Sequence, residues 1–292
     1  MELILVRMVS LIGIALIYML FDLFNKRNIP SVFVYAGLAY GALLTFLYLN
    51  LYEVAVSAGI AAAILGIGYA VYRGGYLGAG DVFEFATLSL IFPFQAVPLL
   101  LNAPQLGLPF IISIFIGSGI AALVAVPIYY IPKAKISGMR IGKEITRGAF
   151  AKAVSVGLAY LAFAAFLSFE AGIGIGGTAL IAIMMLGSVA VILFEKPMTA
   201  SMVRYVSYSE MEEGDMIAIN MMGNEDVRRI RKRASAFNRL VTKKLIDQLR
   251  SKKIRSKVPV YKNAIPMAAP IFAGVVASIL FGNVILMLLV VP

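Results

Sequence analysis

The chain has 292 residues, of which 61% are hydrophobic and only 14% are charged, and its formal net charge is +11. A soluble domain of this size does not need so much apolar surface, so the composition predicts an all-α polytopic membrane protein. The sequence contains neither Cys nor His, which excludes disulfides, thiol nucleophiles, Cys-based zinc sites, His-Glu-x-x-His zinc proteases and Ser-His pairs. Carboxylates, hydroxyls, Lys and Arg remain for chemistry, and we expect no cofactor and no metal.

Apolar runs long enough to cross a bilayer recur along the chain. They predict about eight transmembrane helices, at residues 3–21, 31–50, 54–72, 82–101, 108–131, 149–168, 174–194 and 266–290. The first run carries Arg7 near its start, as a signal peptide would, but it is long and lacks a small-residue cleavage pattern. We therefore interpret it as a retained helix. Residues 1–194 form the predicted transmembrane helical domain, and residues 266–292 form the final transmembrane helix.

The basic residues indicate the orientation in the membrane. Alternating the sides from helix to helix places every Lys and Arg except Arg7 on one side. The segments on that side are 22–30, 73–81, 132–148 and 195–265, with Lys152 just inside the sixth span. By the positive-inside rule this is the cytoplasmic face of a multi-pass protein in the cell membrane. The positive charge is therefore expected to meet anionic lipid headgroups, and we expect no nucleic acid partner.

Residues 195–265 form the sizeable polar region, predicted to be a small, basic α+β cytoplasmic domain inserted before the last helix. Residues 216–220 predict a short strand after a Glu-Gly-Asp turn, and residues 226–253 predict one basic amphipathic helix. The apolar stripe of this helix is expected to pack on the strand, with a helix lying on anionic headgroups as the open alternative. The stripe comprises Val227, Ile230, Ala234, Phe237, Val241, Leu245 and Leu249.

Residues 74–81 read Gly-Gly-Tyr-Leu-Gly-Ala-Gly-Asp and lie between two apolar runs. An acid at the mouth of a membrane span is costly, and it is a functional-site hypothesis by default. Asp22 closes the first span at the same predicted depth as Asp81. Two adjacent carboxylates share one proton, so the ionised acid can activate water while the protonated acid donates to a peptide carbonyl. This is aspartyl proteolysis, which needs no His, Cys or metal.

The residues around both acids resemble a known family. Gly78-Ala79-Gly80-Asp81 is similar to the G-x-G-D signature of intramembrane aspartyl proteases. Asp22, with Lys26, Ile29 and Pro30 after it, resembles the first motif of type IV prepilin peptidases, and most closely that of the archaeal preflagellin and prepilin peptidases. The resemblance implies an aspartic endopeptidase that cleaves the short charged leader from pilin- or flagellin-type precursors at the cytoplasmic face. Asp22 and Asp81 are then the catalytic acids.

Three further residues belong to the predicted site. Gly78 and Gly80 are assigned to the motif and to the approach of an extended substrate to Asp81, because glycine lets another chain come close. Glu84 follows Asp81 by one helical turn and tunes the pair, contacts a basic leader or makes a structural hydrogen bond. Helix dipoles predict that the shared proton lies mainly on Asp22, at a helix C-terminus, and that Asp81 is ionised at a helix N-terminus.

The sequence also departs from the family. Paired cysteines of the bacterial members are absent, and Val82 and Phe83 stand where Lys is common. The apolar hairpin 149–194 exceeds the six spans expected of a preflagellin peptidase, which leaves the substrate subclass open. Residues 263–272 resemble the start of the family's last span.

Two other function classes stay open. A polytopic transporter also uses intramembrane acids for ion coupling. Against it, both acids lie at span ends, and no matching pair of interrupted spans is present. A membrane anchor for the basic domain is the second class, but it gives no reason for a glycine-rich turn that ends in an acid.

Overall fold

The computed structural model describes residues 2–25, 29–48, 50–75, 77–92, 109–139, 141–170, 172–235, 237–251, 257–262 and 267–282. The helices before the polar region are α1 (Glu2–Phe24), α2 (Ser31–Tyr48), α3 (Leu51–Arg73), α4 (Ala79–Ile91), α5 (Phe110–Ile136), α6 (Ile141–Glu144), α7 (Arg147–Glu170) and α8 (Ile175–Leu193). They are followed by α9 (Glu195–Met202), β1 (Arg204–Val206), α10 (Asn224–Arg233), α11 (Lys243–Ser251), β2 (Val258–Val260) and α12 (Ala268–Phe281). The predicted helical class is thereby confirmed.

A helix lies at the position of every predicted span. Five of these helices, α1, α3, α5, α7 and α8, are long and apolar enough to cross a membrane, whereas α2 and α12 are shorter apolar helices. In lipid a helix satisfies its own backbone hydrogen bonds, which is why uninterrupted apolar runs adopt this conformation. The rest of the fourth and last predicted spans, 93–101 and 283–290, lies outside the described residues. The chain is thus a multi-pass membrane protein, and the count of eight spans stays a prediction.

Helix α4 lies at the centre of the bundle, in contact with α1, α2, α3 and α5. Nearly all of its side chains after the first turn are buried, so it has no broad face left for lipid. The core around it combines apolar residues of α1, α2, α4, α5 and α12. Helix α12 packs against both α1 and α5, which brings the end of the chain back to its beginning.

Small residues set the closest helix contacts in this bundle. At the crossing of α3 and α4, a Cβ on Gly68 would overlap the side chain of Val82. At the crossing of α5 and α12, a Cβ on Gly117 would lie 3.1 Å from the Cα of Gly274. Such glycines let helix backbones approach closely in membranes, where packing and not the hydrophobic effect drives association.

The helices α7 and α8 pack on each other, and α8 alone of the two packs extensively on the bundle, through α5. The apolar outer face of α7 is exposed, with Leu158, Leu161 and Phe166 more than half accessible. Exposed side chains of this kind are what a lipid-facing helix presents. The hairpin is therefore peripheral to the region that holds the acids.

The polar region has its own apolar core, closed by an antiparallel pair of strands in which Arg204 faces Val260 and Val206 faces Val258. The apolar stripe predicted for residues 226–253 does enter this core. The prediction of one continuous helix there is wrong, because α10 ends at Arg233 and α11 begins only at Lys243. Leu240 forms a β-bridge with Met216 in between. Backbone pairing to a distant segment thus replaces helical hydrogen bonds across the break.

The strand predicted at residues 216–220 is shorter than expected. Met216 and Ile217 form isolated β-bridges, and a 3-10 turn begins at Ile219. Lys262, just after β2, binds Asp215 at 2.8 Å and Glu212 at 3.1 Å. Burial lowers the pKa of Lys262, but these hydrogen bonds and charges outweigh burial and raise its pKa above the ordinary value. The ion pairs fasten the chain between β2 and α12 to the turn before the bridges.

Candidate active site

Asp22 lies in the last turn of α1 and is buried, with 7% of its surface exposed. Its Oδ2 accepts a hydrogen bond of 3.1 Å from the backbone N–H of Ala268. Ala268 is the first residue of α12, where backbone N–H groups have no partner within the helix. The carboxylate of Asp22 therefore caps the last described helix, although it belongs to the first.

Asp81 lies in the first turn of α4 and is partly buried. Its Oδ2 accepts a hydrogen bond of 3.1 Å from the backbone N–H of Gly78, the residue that precedes the helix. A Cβ at Gly78 would lie 2.8 Å from the same oxygen, closer than a carbon and an oxygen can approach without displacement. Gly78 thus has two roles: its N–H group binds the Asp81 carboxylate, and its lack of a side chain leaves space for that carboxylate.

Asp22 and Asp81 lie at the same end of the helix bundle. The carboxyl groups of Asp22, Asp81 and Glu84 lie near enough for their charges to act on one another. Asp22 comes from the end of α1, and the other two come from the start of α4. Two acids from different helices thus lie within range of each other's charge, which is the least that a shared-proton pair requires.

The two sequence motifs also touch each other through apolar atoms. A Cβ on Gly80 would lie 2.9 Å from the Cδ1 of Ile29. Gly80 is helical and does not have the positive φ that would have made substitution strained. Its small size is used for the contact with Ile29, which follows Asp22 in the first motif. Lys26 and Arg27 lie outside the described residues.

Both acids face a helix N-terminus, which bears on the predicted position of the shared proton. That prediction rested on two helix ends. The C-terminus of α1 disfavours an anion at Asp22, and the N-terminus of α4 favours an anion at Asp81. The N–H group of Ala268 adds the start of α12 beside Asp22. Since a helix N-terminus favours an anion, the start of α12 offsets part of the effect of the α1 C-terminus on Asp22, and the dipoles distinguish the two acids less than predicted. The placement of the proton on Asp22 stays a prediction, with less support from the helix dipoles.

Sequence reasoning missed a group of buried hydroxyls behind the acids. Tyr18 and Thr87 are both fully buried. Tyr18 precedes Asp22 by one turn of α1, and Thr87 follows Glu84 by one turn of α4. Polar residues at helical spacing from an intramembrane acid were the available signal, and they indicate a polar face directed into the bundle.

A residue of the polar region reaches the loop before Asp81. Gly75 has a φ of +70°, and a Cβ there would lie 3.0 Å from the Cγ of Arg239. Gly75 is thus free to turn the chain after α3, and the aliphatic part of the Arg239 side chain covers it. The loop before Asp81 thus contacts the polar region at Gly75.

Residues 9–126 match the model of the Type IV leader peptidase family. The resemblance deduced from the two motifs is confirmed. The matched region runs from α1 into α5 and contains both acids, but it covers less than half of the chain. No curated protein and no solved structure matches the sequence. The type IV leader peptidase match supports a protease that acts on leader peptides of prepilin type.

Proposed function

We propose that this chain is a membrane-embedded aspartyl endopeptidase in which Asp22 and Asp81 form the catalytic pair. The observation that carries the proposal is that two carboxyl groups, one from α1 and one from α4, lie within range of each other's charge inside the region similar to leader peptidases. Asp22 is buried, whereas Asp81 keeps part of its surface accessible. An accessible acid beside a buried one provides a place for water and for a peptide bond.

The reaction follows from the chemistry of a carboxyl pair that shares one proton. The ionised acid takes a proton from water while the water oxygen bonds to the carbon of the scissile carbonyl. The protonated acid donates its proton to the carbonyl oxygen, so that no full charge is left on that oxygen. When the tetrahedral intermediate breaks its C–N bond, the protonated acid gives its proton to the leaving nitrogen, and a hydroxyl group of the intermediate gives its proton to the ionised acid as the new C=O bond forms. The pair ends in its starting state, with one proton.

The proposed substrate is a pilin- or archaeal flagellin-type precursor. Its charged leader stays in water while its apolar helix stays in lipid, so the bond between them lies at a membrane surface. The two acids lie at the same end of the bundle as the polar region, because Asp22 contacts the start of α12 and Arg239 covers Gly75. We assign this end to the cytoplasmic face, where the basic residues gather.

The polar region between residues 195 and 265 is proposed to be a separate cytoplasmic domain. Pairing of β1 with β2 joins its two ends, and an apolar core fills it. Helix α10 carries an exposed row of basic residues, namely Arg228, Arg229, Arg231 and Lys232. Basic residues near a membrane surface gain about 1 kcal/mol each from anionic headgroups. The domain therefore holds the protein on its lipid while it covers the loop before Asp81.

Processing of a pilin-type precursor tests the catalytic pair. We expect Asp22→Asn and Asp81→Asn each to abolish leader cleavage in co-expression, because an amide keeps the shape of the carboxyl but cannot exchange its proton. Asp247→Asn is the matched control, since Asp247 lies exposed on α11. All three variants should insert into membranes in wild-type amounts.

The outcomes separate the function classes. Substantial cleavage by either pair variant would contradict the dyad. Absence of cleavage by the wild-type protein, together with proton- or ion-coupled uptake that depends on Asp81, would favour the transporter instead.

A further inference from the structure

Glu84 is the acid of the site that the proposed reaction does not use. It is fully buried, and neither of its carboxyl oxygens makes a hydrogen bond with the part of the chain that the structure describes. The hydroxyls of Tyr18 and Thr87 are also buried, and they face each other without a well-formed hydrogen bond. Buried polar groups in proteins are nearly always satisfied, so such a group indicates a role.

These three polar side chains form a cluster directly behind the two acids. Glu84 and Thr87 lie on α4, one and two turns after Asp81, and Tyr18 lies on α1, one turn before Asp22. Helix α2 closes the cluster with Gly37, where a Cβ would lie 3.4 Å from the Cγ2 of Thr87. The Tyr18 hydroxyl lies 3.7 Å from the same point. The cluster therefore joins the two helices that carry the catalytic pair.

The surroundings of Glu84 disfavour its charged form. A carboxylate removed from water needs a cation or several donors to remain ionised. No salt bridge reaches Glu84 within the described residues, and the charges nearest to it are those of Asp81 and Asp22, which are negative. The titratable group that faces it from α1 is the phenol of Tyr18, which is neutral at ordinary pH. None of these neighbours supplies the positive charge that a buried carboxylate needs.

We propose that Glu84 is protonated in the working enzyme and acts as a positioning residue, which links α4 to α1 through the hydroxyls of Tyr18 and Thr87. A neutral carboxyl group both donates and accepts hydrogen bonds, and a hydroxyl does the same. Small rotations of Tyr18 and Thr87 complete the links. The inference rests on the proposed function, because the role given to the link is to keep the distance between the catalytic acids Asp22 and Asp81 constant.

Substitutions at Glu84 separate a neutral hydrogen-bonding group from a charged one. We expect Glu84→Gln to retain cleavage within a few-fold of wild type, since an amide also donates and accepts. Glu84→Leu fills the space without hydrogen bonds, and we expect it to lower kcat on the order of 10–100-fold at unchanged membrane insertion. Glu53→Gln is the control, because Glu53 caps α3 through the N–H of Asn50 and Gln supports the same capping box.

Infrared spectroscopy tests the protonation itself and does not depend on cleavage. In an Asp22→Asn/Asp81→Asn background the catalytic pair has no carboxyl group left. We expect the carbonyl stretch of a protonated, buried carboxyl group at neutral pH in this background, and its loss when Glu84→Gln is added. Absence of that band overturns the proposal, and so does a Glu84→Gln enzyme as impaired as Glu84→Leu or a Glu84→Leu enzyme of full activity. Failure of the proposed function would appear separately, as cleavage by the Asp22→Asn or Asp81→Asn single variants.

Discussion

At the scale of single residues, the position of the Asp81 carboxyl group depends on the absence of a Cβ at Gly78. The N–H of Gly78 holds one carboxyl oxygen of Asp81, and the space where a Cβ would stand is filled by that oxygen. The first glycine of the Gly-x-Gly-Asp sequence therefore acts on the acid, whereas the second acts on Ile29. The two glycines of the motif have different physical roles.

We predict that Gly78→Ala displaces the carboxyl of Asp81 and lowers cleavage on the order of 10–100-fold, because small misplacements of reacting groups are that costly. The measurement is the rate of leader removal by purified enzyme, with membrane insertion and thermal unfolding followed in parallel. Gly148→Ala serves as control, since a Cβ at Gly148 meets nothing within 4 Å. Normal turnover by Gly78→Ala would show that the carboxyl tolerates the shift.

At this scale the sequence indicated the acids and the glycines as candidates, because an acid is costly within a membrane span and the glycines precede Asp81 at the spacing of the motif. It could not predict the N–H donor of Asp22, which lies 246 residues away along the chain. Contacts between residues so far apart in the chain depend on how the helices pack, and this packing cannot be deduced from a single sequence. The helix-dipole argument about the shared proton did not include this donor for the same reason.

At the scale of elements, α12 and α5 cross so closely that a backbone on one helix lies against a backbone on the other. A Cβ on Gly274 would overlap the side chain of Ser118 and would lie 2.7 Å from the carbonyl oxygen of Ile114. Backbone atoms on both sides leave the helices no cheap way to separate. The crossing fixes α12, and α12 in turn presents the N–H group to Asp22.

We predict that Gly274→Ala destabilises the protein by about 1–3 kcal/mol, as overpacking of a close-packed core does. Thermal unfolding in detergent measures the effect. Gly119→Ala on α5 is the matched control, because a Cβ there meets nothing within 4 Å. Equal stability of the two variants would mean that the crossing is looser than described.

Helical periodicity predicted the apolar residues of the polar region's core but not the break between α10 and α11. The stripe continues at helical spacing through Ala234 and Phe237. The break is caused by backbone pairing of Leu240 with Met216, and of Arg239 with Ile217. Periodicity reports which side chains are buried, and both a continuous helix and a broken one bury this stripe.

At the scale of the whole molecule, the arrangement of helix ends is consistent with one orientation in the membrane. The end of α1, the start of α4 and the start of α12 lie together. The polar region covers the end of α3 at Gly75. These ends were predicted to share a side from the distribution of Lys and Arg alone, so charge and packing support the same topology.

Reporter fusions test this topology. We predict cytoplasmic signals from fusions after Gly74, Gly138 and Asn224, because each follows or precedes a basic segment. Fusions after Leu51, Gln105 and Glu170 should report the opposite side. An external signal at Asn224 would separate the polar region from the face that holds the acids, and it would contradict the eight-span arrangement.

The hydrogen bond from Ala268 to Asp22 can form only late in the synthesis of the chain. A ribosome delivers α1 first, and α12 emerges only after almost the whole chain has been made. Until then Asp22 has a different environment, with no N–H group from Ala268. The amino-terminal part of the chain carries both acids long before it carries the group that holds one of them in place. Nascent chains that stop before α12 should therefore insert both acids into the membrane without completing the site.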